Sequence, residues 1–410
     1  MADQLGDSYR RSARAEEAER PSEETTPVPG ANVIQLNSSM NKRDAADTDR
    51  GAAFESQWRL MWRRFRRHKL AMGGATLLLL LYFAAAFCEF LAPYRPTQRH
   101  AEYVLAAPQR VRFIDASGDF HWRPFVYDLQ LDDAGSEWQR EYVVNTERRY
   151  PLQFFTRGPE YELWGLIQTN WHLVTAGGGP FFLMGTDDLG RDIFSRILYG
   201  SRISLTIGLV GVALTFAIGI LLGGLAGFFG GWVDGLVQRS IEVLMSVPHL
   251  PLWMGLSAAL PASWPPLRVY FGITLILSLL GWPGLARVVR GKFLSLRDED
   301  FVVAARLAGT NEVTIIFRHL LPSFISHVIT AATLAVPGMI LGETALSFLG
   351  IGLRPPVVSW GVLLQKAQNF QAVAMAPWLL LPGAFVVITV LAFNVVGDGM
   401  RDAADPYAKH

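Results

Sequence analysis

The stretch that decides the fold lies at residues 203–233 and reads ISLTIGLVGVALTFAIGILLGGLAGFFGGWV, without a charged side chain. A helix needs about 20 apolar residues to cross the hydrocarbon core of a membrane, so this stretch is long enough to span one. The composition agrees, because only 18% of the 410 residues are charged and 50% are hydrophobic, whereas soluble domains average about 25% charged residues. We therefore expect a membrane protein.

Five further apolar segments complete the prediction of an all-α bundle with six membrane-spanning helices. They lie at residues 70–88, 243 to about 262, 269–286, about 320–342 and 372–397. Pro248 and Pro251 interrupt the second of these segments, and we expect them to kink or unwind it near one membrane face. Such breaks often line a transport path, but proline is also commoner in membrane helices generally, so both interpretations of Pro248 stay open.

Positive charge predicts the orientation, since cytoplasmic loops carry an excess of Lys and Arg. With six spans, both termini lie on one side. The two short loops on the other side hold three basic residues, Arg268, Arg354 and Lys366. The side of the termini holds Arg59, Arg63, Arg64, Arg66, Arg67, Lys69, Arg239, Arg287, Arg290, Lys292, Arg297, Arg306, Arg318, Arg401 and Lys409. We therefore expect cytoplasmic N- and C-termini.

Composition and charge divide the chain into six segments. They are a disordered cytoplasmic tail (1–52), a basic amphipathic helix on the membrane surface (53–69), the first span (70–93), an extracytoplasmic insertion (94–184), a core with spans 2–6 (185–402) and a cytoplasmic tail (403–410). The first lacks hydrophobic periodicity, and the second mixes basic and aromatic residues. In the insertion, residues 115–119 and 132–135 have turn composition, and residues 111–114 and 141–144 are candidate short strands.

The inner loop at residues 290–322 predicts two short helices joined by a tight turn. Residues 298–308 suit a helix, because acidic residues stand at the first turn and alanines follow. Gly309 is placed to end that helix in a left-handed turn. A second helix restarts at Asn311, and Pro322 marks another boundary. The small alanines allow another surface to approach closely; the alternative is an amphipathic connector between two spans.

Several other residues have more than one interpretation. Charged residues ahead of span 2, including Asp187 and Arg191, predict either a charged cluster at the outer interface or simple capping of the following helix. Glu343 is an ionisable group inside a span and hence a functional candidate, but a solvated or hydrogen-bonded structural role is equally consistent. His327 is a candidate proton relay or, with no evident partner, a packing histidine. Span 2 carries small residues for close packing, within the subunit or across to a second one: Gly208, Gly211, Gly219, Gly223, Gly224 and Gly227.

What the sequence lacks restricts the function. No stretch has the form G-x-x-x-x-G-K-[ST], so the chain does not cradle ATP in that way. The eight histidines are scattered without a catalytic or metal-ligand pattern, and the single cysteine, Cys88, excludes an intrachain disulfide. Basic residues lie at predicted membrane edges, which argues against nucleic-acid binding.

The inner loop resembles that of permease subunits of binding-protein-dependent ABC importers. Two alanines, three residues, a glycine, eleven residues and Leu-Pro stand at the spacing of that family's "EAA" loop. In the family, this loop forms a coupling helix that docks into a cleft on the ATPase subunit. The residues that the resemblance assigns to coupling are Ala304, Ala305, Arg306, Gly309, Leu321 and Pro322. The chain departs from the family at Val303, where the family has Glu.

A second resemblance narrows the family to the C-type permease of oligopeptide, dipeptide and nickel importers. It rests on residues 62–70 with 91–94, 185–192, 195–196, 200–205, 343–350, 397–402 and 405–406, and it covers about 55–95 and 184–407 of the chain. The motif at the outer interface comprises Gly185, Thr186, Asp187, Gly190, Arg191 and Asp192. Residues 96–183 exceed the family's usual loop, so no role carries over to them.

The resemblance implies a non-enzymatic permease subunit of a bacterial inner-membrane importer for peptides or a related solute, such as a metal chelate or oligosaccharide. The implied partners are a second permease in a heterodimer, two ATPase subunits that bind ATP and Mg, an extracytoplasmic solute-binding protein and membrane lipid. Pro248 and Glu343 are the candidate pathway residues. The insertion is a candidate dock for the binding protein, a gate or a passive cap.

Two other hypotheses make different predictions. A secondary transporter requires paired ionisable groups in broken helices and often an inverted repeat; the sequence offers only Glu343 and His327, both isolated, and no convincing repeat. A membrane-anchored sensor or scaffold that acts through its insertion has no need of six spans and a coupling-type loop. Both hypotheses are disfavoured.

Overall fold

The computed structural model describes residues 57–131, 142–261 and 263–404, which are mainly helical. The helices of eight or more residues in these ranges are α1 (Gln57–Arg67), α2 (Lys69–Ala86), α3 (Ile193–Phe229), α4 (Gly231–Ser246), α5 (His249–Ala258), α6 (Pro266–Leu296), α7 (Asp300–Leu307), α8 (Ile325–Phe348) and α9 (Leu381–Ala404). Shorter helical pieces lie at Cys88–Leu91, Glu312–Thr314, Ile315–Leu320, Leu321–Ser323, Trp360–Leu364, Gln365–Gln368, Phe370–Met375 and Pro377–Leu380. The predicted tail at 1–52, the turn at 132–135 and residues 405–410 lie outside the described residues.

The predicted helical membrane bundle is confirmed, and in the described part of the chain five of the six predicted spans are single helices long and apolar enough to cross a membrane: α2, α3, α6, α8 and α9 with its preceding turn. The third predicted span is divided. Helix α4 ends at Ser246, the backbone is extended at Val247 and Pro248, and α5 continues for ten residues. Proline lacks an amide hydrogen and clashes with the preceding turn, so the break lies where the sequence predicts it.

Helix α3 begins at Ile193, ten residues before the uncharged stretch 203–233 that predicts this span. Asp192 caps its N-terminus, because the side chain accepts a hydrogen bond from the Ser195 amide. The first three turns contain Arg196 and Arg202, which hydropathy places outside a span. Both arginines bind acidic residues of the protein, and these partners allow the helix to extend beyond the purely apolar segment.

Glycines of α3 let α6 and α8 approach closely. A Cβ atom at Gly223 would lie 2.4 Å from the Ala286 carbonyl oxygen, and one at Gly227 would lie 2.7 Å from that of Arg290. Gly208 faces Ile340 of α8 in the same way. Contacts within this chain therefore account for these glycines, while packing across two subunits stays a prediction.

The insertion adds antiparallel strands to the helical bundle. They are β1 (Arg112–Ile114), β2 (Phe120–Leu131), β3 (Tyr142–Pro151), β4 (Gln153–Leu163) and β5 (Ile167–Thr175), in a three-stranded sheet β1-β2-β3 and a hairpin β4-β5. The turn predicted between residues 115 and 119 joins β1 to β2, and β1 matches the first candidate strand. The second candidate marks the start of β3, which continues to Pro151.

Helix α1 is amphipathic, as its sequence predicts. Met61 and Phe65 are buried in the helical core, while Trp62 and the arginines Arg63, Arg66 and Arg67 are exposed. Its placement on the membrane surface stays a prediction.

Candidate functional site

Helix α7 ends in the left-handed turn that the sequence predicts at Gly309. The φ angle of Gly309 is +76°, its amide donates to the Arg306 carbonyl at 2.9 Å, and the Thr310 amide donates to the Ala305 carbonyl at 3.0 Å. This pair of bonds is the Schellman termination of a helix. Glycine adopts the required φ without steric cost, so Gly309 fixes the angle at which the chain leaves α7.

The second half of the loop restarts as a helix at Asn311, whose side-chain oxygen accepts the Val313 amide at 2.9 Å. Its middle, Ile315–Leu320, has the wider π-helical geometry, a distortion that is frequent at functional sites. The chain leaves the helix at Phe324, two residues after Pro322. The predicted pair of helices is therefore present, with a local widening that the sequence does not reveal.

An apolar surface on α7 faces away from the bundle. Leu307 is 85% exposed and Val303 42%, while Val302 and Ile315 are fully buried and attach the loop to the core. The exposed residues of this surface are Phe301, Val303, Ala304, Leu307 and Ala308. Exposed apolar patches with polar borders mark interaction sites. Valine at position 303 enlarges this patch where the resembling family has a carboxylate.

Arg306 links α7 to two other elements. Its guanidinium carbon lies 5.2 Å from the ring centroid of Phe228, in the last turn of α3, and its Nε lies 3.6 Å from Glu312 Oε1 across the turn. The remaining predicted coupling residues divide between surface and core: Pro322 is exposed, and Ala305 and Leu321 pack against the core. Arg306 thus positions the loop, while Ala304 lies on its exposed surface.

The motif ahead of α3 folds into a tight loop that fastens the insertion to the bundle. Gly185 and Gly190 have φ angles of +75° and +68°, and a Cβ atom on Gly190 would lie 2.0 Å from the His100 carbonyl oxygen. The Thr186 hydroxyl accepts the Ala106 amide at 2.8 Å. Both glycines are therefore required by backbone conformation and by the close approach of the insertion, since a Cβ atom on Gly185 would lie 2.7 Å from the Ala106 carbonyl oxygen.

Asp187 lies at the centre of a buried charged cluster. Its Oδ2 accepts hydrogen bonds from Arg191 Nε at 2.9 Å and from the Arg196 guanidinium, and its Oδ1 accepts the Leu189 and Arg191 amides. Burial opposes ionisation, but the Arg191 hydrogen bonds and the Arg196 charge outweigh it and hold the pKa of Asp187 below its ordinary value. The predicted charged cluster is present here.

Asp192 provides the capping that was the alternative interpretation. Its Oδ2 accepts the Ser195 amide at 2.7 Å, while Oδ1 is buried without a hydrogen-bond partner. Burial raises the pKa of Asp192 to about 7, against the opposing Ser195 hydrogen bond. The two interpretations therefore apply to different residues, charge pairing to Asp187 and capping to Asp192.

Glu343 is fully buried in α8 and binds serine hydroxyls. Its Oε1 accepts from Ser347 at 2.8 Å and Ser359 at 2.7 Å, and its Oε2 accepts from Ser204 at 3.2 Å. Each serine oxygen in turn accepts a backbone amide, from Leu353, Val362 and Trp360 respectively. The carboxyl group therefore joins α3, α8 and the segment before Trp360 by hydrogen bonds, which is the structural role considered for it.

Pro248 stands at the break between α4 and α5, and His327 lines a cavity next to α5. Pro248 is exposed and precedes α5 as its N-cap. The following helix carries Trp253, which lines an apolar cavity of about 350 Å³ together with Gly281 of α6 and His327 of α8. His327 is exposed toward this cavity rather than packed in the core. Within the described ranges, no three His, Cys, Asp or Glu side chains cluster as a metal site.

Sequence reasoning missed several residues that complete these sites. Ser347 stands four positions after Glu343, and this one-turn spacing is a signal that could have revealed it. Phe228 and Ser204 have no such signal, because only the tertiary fold brings them to Arg306 and Glu343.

Two known families match the chain. Residues 219–410 match the binding-protein-dependent transport system inner membrane component, and residues 56–108 match the N-terminal TM domain of oligopeptide transport permease C. The chain therefore belongs to the family of binding-protein-dependent transport system inner membrane components. Within it, the chain is a C-type permease of the oligopeptide and dipeptide group, as the curated relatives indicate.

Three relatives illustrate the similarity. The chain is 31% identical to a dipeptide transport system permease protein, DppC, of Bacillus subtilis, over 84% of either chain. It is 30% identical to a di/tripeptide transport system permease protein of Pseudomonas aeruginosa, over 90% of this chain and 98% of the relative. A putative peptide permease protein of Brucella suis is 39% identical over 55% of this chain and 73% of the relative. An inward-facing structure of the MetNI methionine ABC transporter has a TM-score of 0.40 at 20% identity, over 51% of this chain and 96% of that chain.

Proposed function

We propose that this chain forms a heterodimeric pore with a second permease and imports peptides or a related small solute across the bacterial inner membrane. An extracytoplasmic binding protein delivers the solute, and two cytoplasmic ATPase subunits supply the energy. ATP and Mg bind to those subunits and not to this chain. The supporting observation is the apolar surface of α7. This surface is fixed to the bundle, and the described residues of the chain leave it exposed.

The loop geometry supports a mechanical role for α7. Val302 and Ile315 anchor its two sides in the core, and Arg306 ties it to α3 and to the following helix. A partner that moves α7 on ATP binding therefore moves the ends of α3 and α8 with it. Because packed helices respond as rigid bodies rather than by local deformation, this motion alternates the pore between its inward-open and outward-open states.

Charge supports the orientation in which α7 faces the cytoplasm. The loop containing Arg306 and Arg318 and the end of α9 with Arg401 belong to the basic side, and such segments remain inside. The N- and C-termini then lie in the cytoplasm, and the strands of the insertion lie outside, where the binding protein arrives.

Mild purification of the tagged protein from its native membrane, followed by mass spectrometry, tests the proposal. A second permease, ATPases and a binding protein should accompany it, and a solute retained by the binding protein should be a peptide. Recovery of the chain alone in several mild detergents would contradict the proposal.

A cross-link tests the role of α7 in the same complex. Cys88 is buried, so a Cys88→Ala background leaves no competing thiol. Leu307→Cys in this background should cross-link to the ATPase, whereas Trp122→Cys in β2, which is 90% exposed, should not. An ATPase that copurifies but never cross-links through position 307 would disprove docking at α7.

A further inference from the structure

The β4–β5 hairpin runs along the C-terminal end of α2, and its turn is the part that contacts this helix. Three contacts show the direction. In order toward the span, they are His172 Nδ1 with the Ala92 carbonyl (3.0 Å), the Phe155 ring with Phe90 (6.1 Å) and the Trp164 ring with Phe87 (5.5 Å). Because residues 92 to 87 lead back into α2, the turn of the hairpin is the part of the insertion that reaches the level of the span.

Trp164 is held in this turn by the end of α2. Its indole Nε1 donates at 2.7 Å to the carbonyl of Ala86, the last residue of α2, which also accepts a hydrogen bond from Arg202 Nη2 at 3.0 Å. The last carbonyls of a helix lack partners within it, and at a membrane they need a donor from the protein. Trp164 adopts a φ of +55°, which is unusual for a bulky residue. The value follows from the turn itself, because the Leu166 amide donates to the Leu163 carbonyl and both central residues, Trp164 and Gly165, have positive φ, as in the type I′ turns that close hairpins.

The turn exposes apolar side chains without any charge. Residues 163–167 read Leu-Trp-Gly-Leu-Ile, between Glu162 and Gln168. Leu166 is 82% exposed, Ile167 54% and Trp164 50%. On α2 the neighbouring Phe83 is 54% exposed, and its ring lies 4.7 Å from Phe87, which contacts Trp164. The exposed apolar face of the span thus continues through Phe87 into the hairpin.

We propose that residues 163–167 are immersed in the lipid leaflet on the insertion's side, with Trp164 at the boundary between hydrocarbon and water. Two observations favour lipid over a protein partner. Helix α2 buries 22% of its apolar window, against 39–50% for the other four single-helix spans, so it is the most peripheral of these five helices in the described part of the chain. Tryptophan concentrates at membrane interfaces, where its ring is apolar and its N–H bonds to a polar group, as Trp164 does here.

The proposal concerns how the insertion is attached, and it holds whatever solute is transported. The hairpin serves as a lateral anchor. Its strand β5 contacts the Ala92 carbonyl through His172, and its turn is fixed in the bilayer. The orientation of the insertion over the outer mouth is then set by the membrane as well as by the bundle.

Site-directed spin labelling of the whole complex in bilayers tests this anchor. In the Cys88→Ala background, Leu166→Cys is labelled and its accessibility to oxygen, which enters lipid, is compared with that to a water-soluble nickel chelate. Trp122→Cys is the matched control, since Trp122 is also apolar and is 90% exposed but lies on β2, away from α2. We expect oxygen accessibility to exceed nickel accessibility at position 166 and the reverse at position 122.

Higher nickel than oxygen accessibility at position 166 would overturn the proposal, since the turn would then lie in water. Low accessibility to both reagents would also overturn it, since a protein such as the second permease would then cover the turn. A second test does not depend on spin labels: Trp164→Phe keeps an aromatic ring and removes the indole donor, so that of the two donors to the Ala86 carbonyl only Arg202 remains. This substitution should reduce the quenching of a bimane label at position 166 by brominated lipid, while a label at position 122 shows no change.

Discussion

The guanidinium of Arg306 lies 5.2 Å from the ring centroid of Phe228, so that α7 rests on the last turn of α3. A cation over an aromatic face contributes about 0.5–1 kcal/mol at an exposed site, and a surface ion pair such as that with Glu312 contributes about 0.2–1 kcal/mol. These energies are small beside the stability of a bundle. Their importance lies in the position they give to α7.

Arg306→Ala should therefore lower peptide-stimulated ATPase activity several-fold while the melting temperature of the purified complex changes little. Arg306→Lys keeps the cation and should retain part of the activity. Arg239→Ala serves as the control, because Arg239 is exposed and forms an ion pair with Glu242 on α4. An equal loss of activity in Arg306→Ala and Arg239→Ala would show that the Phe228 contact has no special role.

Two glycines allow a test that separates coupling from folding. At Gly309 a Cβ atom meets nothing within 4 Å, so a large side chain costs about 1–2 kcal/mol, for its left-handed backbone only. At Gly223 a Cβ atom would lie 2.4 Å from the Ala286 carbonyl oxygen, inside the bundle. Gly309→Trp should insert normally but lose ATP-driven transport, whereas Gly223→Val should fail to fold or assemble.

Membrane-inserted yield and transport in vesicles measure the two effects separately. Gly309→Asn is a useful companion, because asparagine tolerates the left-handed conformation and adds little bulk; it should retain more transport than Gly309→Trp. Loss of membrane insertion in Gly309→Trp would refute the coupling interpretation of Gly309.

Asp187 predicts a pH dependence at the acidic end. Its folded-state pKa lies below the ordinary value, which is about 3.9 for an unfolded chain. The stabilisation from Arg191 and Arg196 is therefore complete above about pH 4–5 and is lost as pH falls through the lower folded-state pKa. Thermal melts of the wild type should show this loss below about pH 4, and Asp187→Asn should lack it.

Removing the charge of Asp187 also leaves Arg196 buried, at 4% side-chain exposure, without its counter-ion. Breaking a buried pair in this way costs about 3–5 kcal/mol, so Asp187→Asn should melt well below the wild type at pH 7. Asp188→Asn is the adjacent control, because Asp188 is 43% exposed and forms its ion pair with the exposed Lys366. Similar melting of the two variants would contradict the role assigned to the buried cluster.

The sequence predicts those features that depend on neighbouring residues. Gly309 and Asn311 define the turn between the two short helices of the inner loop, because the end and the start of a helix depend on adjacent residues. Pro248 defines the break between α4 and α5 for the same reason. The insertion is different. In β2 the residues from Phe125 to Leu129 are buried one after another, because both faces of the strand are covered there. No alternation of polar and apolar residues therefore marks the strand, and the buried Asp128 interrupts what would otherwise be a short apolar run.

Glu343 illustrates the same limit in the core. Its position inside a span is evident from the sequence, but its partner Ser204 lies 139 residues away and only the packing of α3 against α8 brings the two together. Without these partners, the residue is as consistent with an ion-coupled relay as with a structural group. The serine contacts, each of which also accepts a backbone amide, favour the structural role.

Replacement of Glu343 provides the last prediction. Glu343→Ala leaves three buried hydroxyl donors without an acceptor, and each unsatisfied group costs about 1–3 kcal/mol. Glu343→Gln retains one carbonyl acceptor, so it should be destabilised less, and Ser347→Ala removes a single donor and should be the mildest of the three. The melting temperature of the complex should fall most in Glu343→Ala, less in Glu343→Gln and least in Ser347→Ala. Glu242→Ala is the unaffected control, because the Glu242 side chain is 57% exposed. A relay would give the opposite pattern: Glu343→Gln would fold normally and abolish transport, because it keeps the shape and removes the titratable proton.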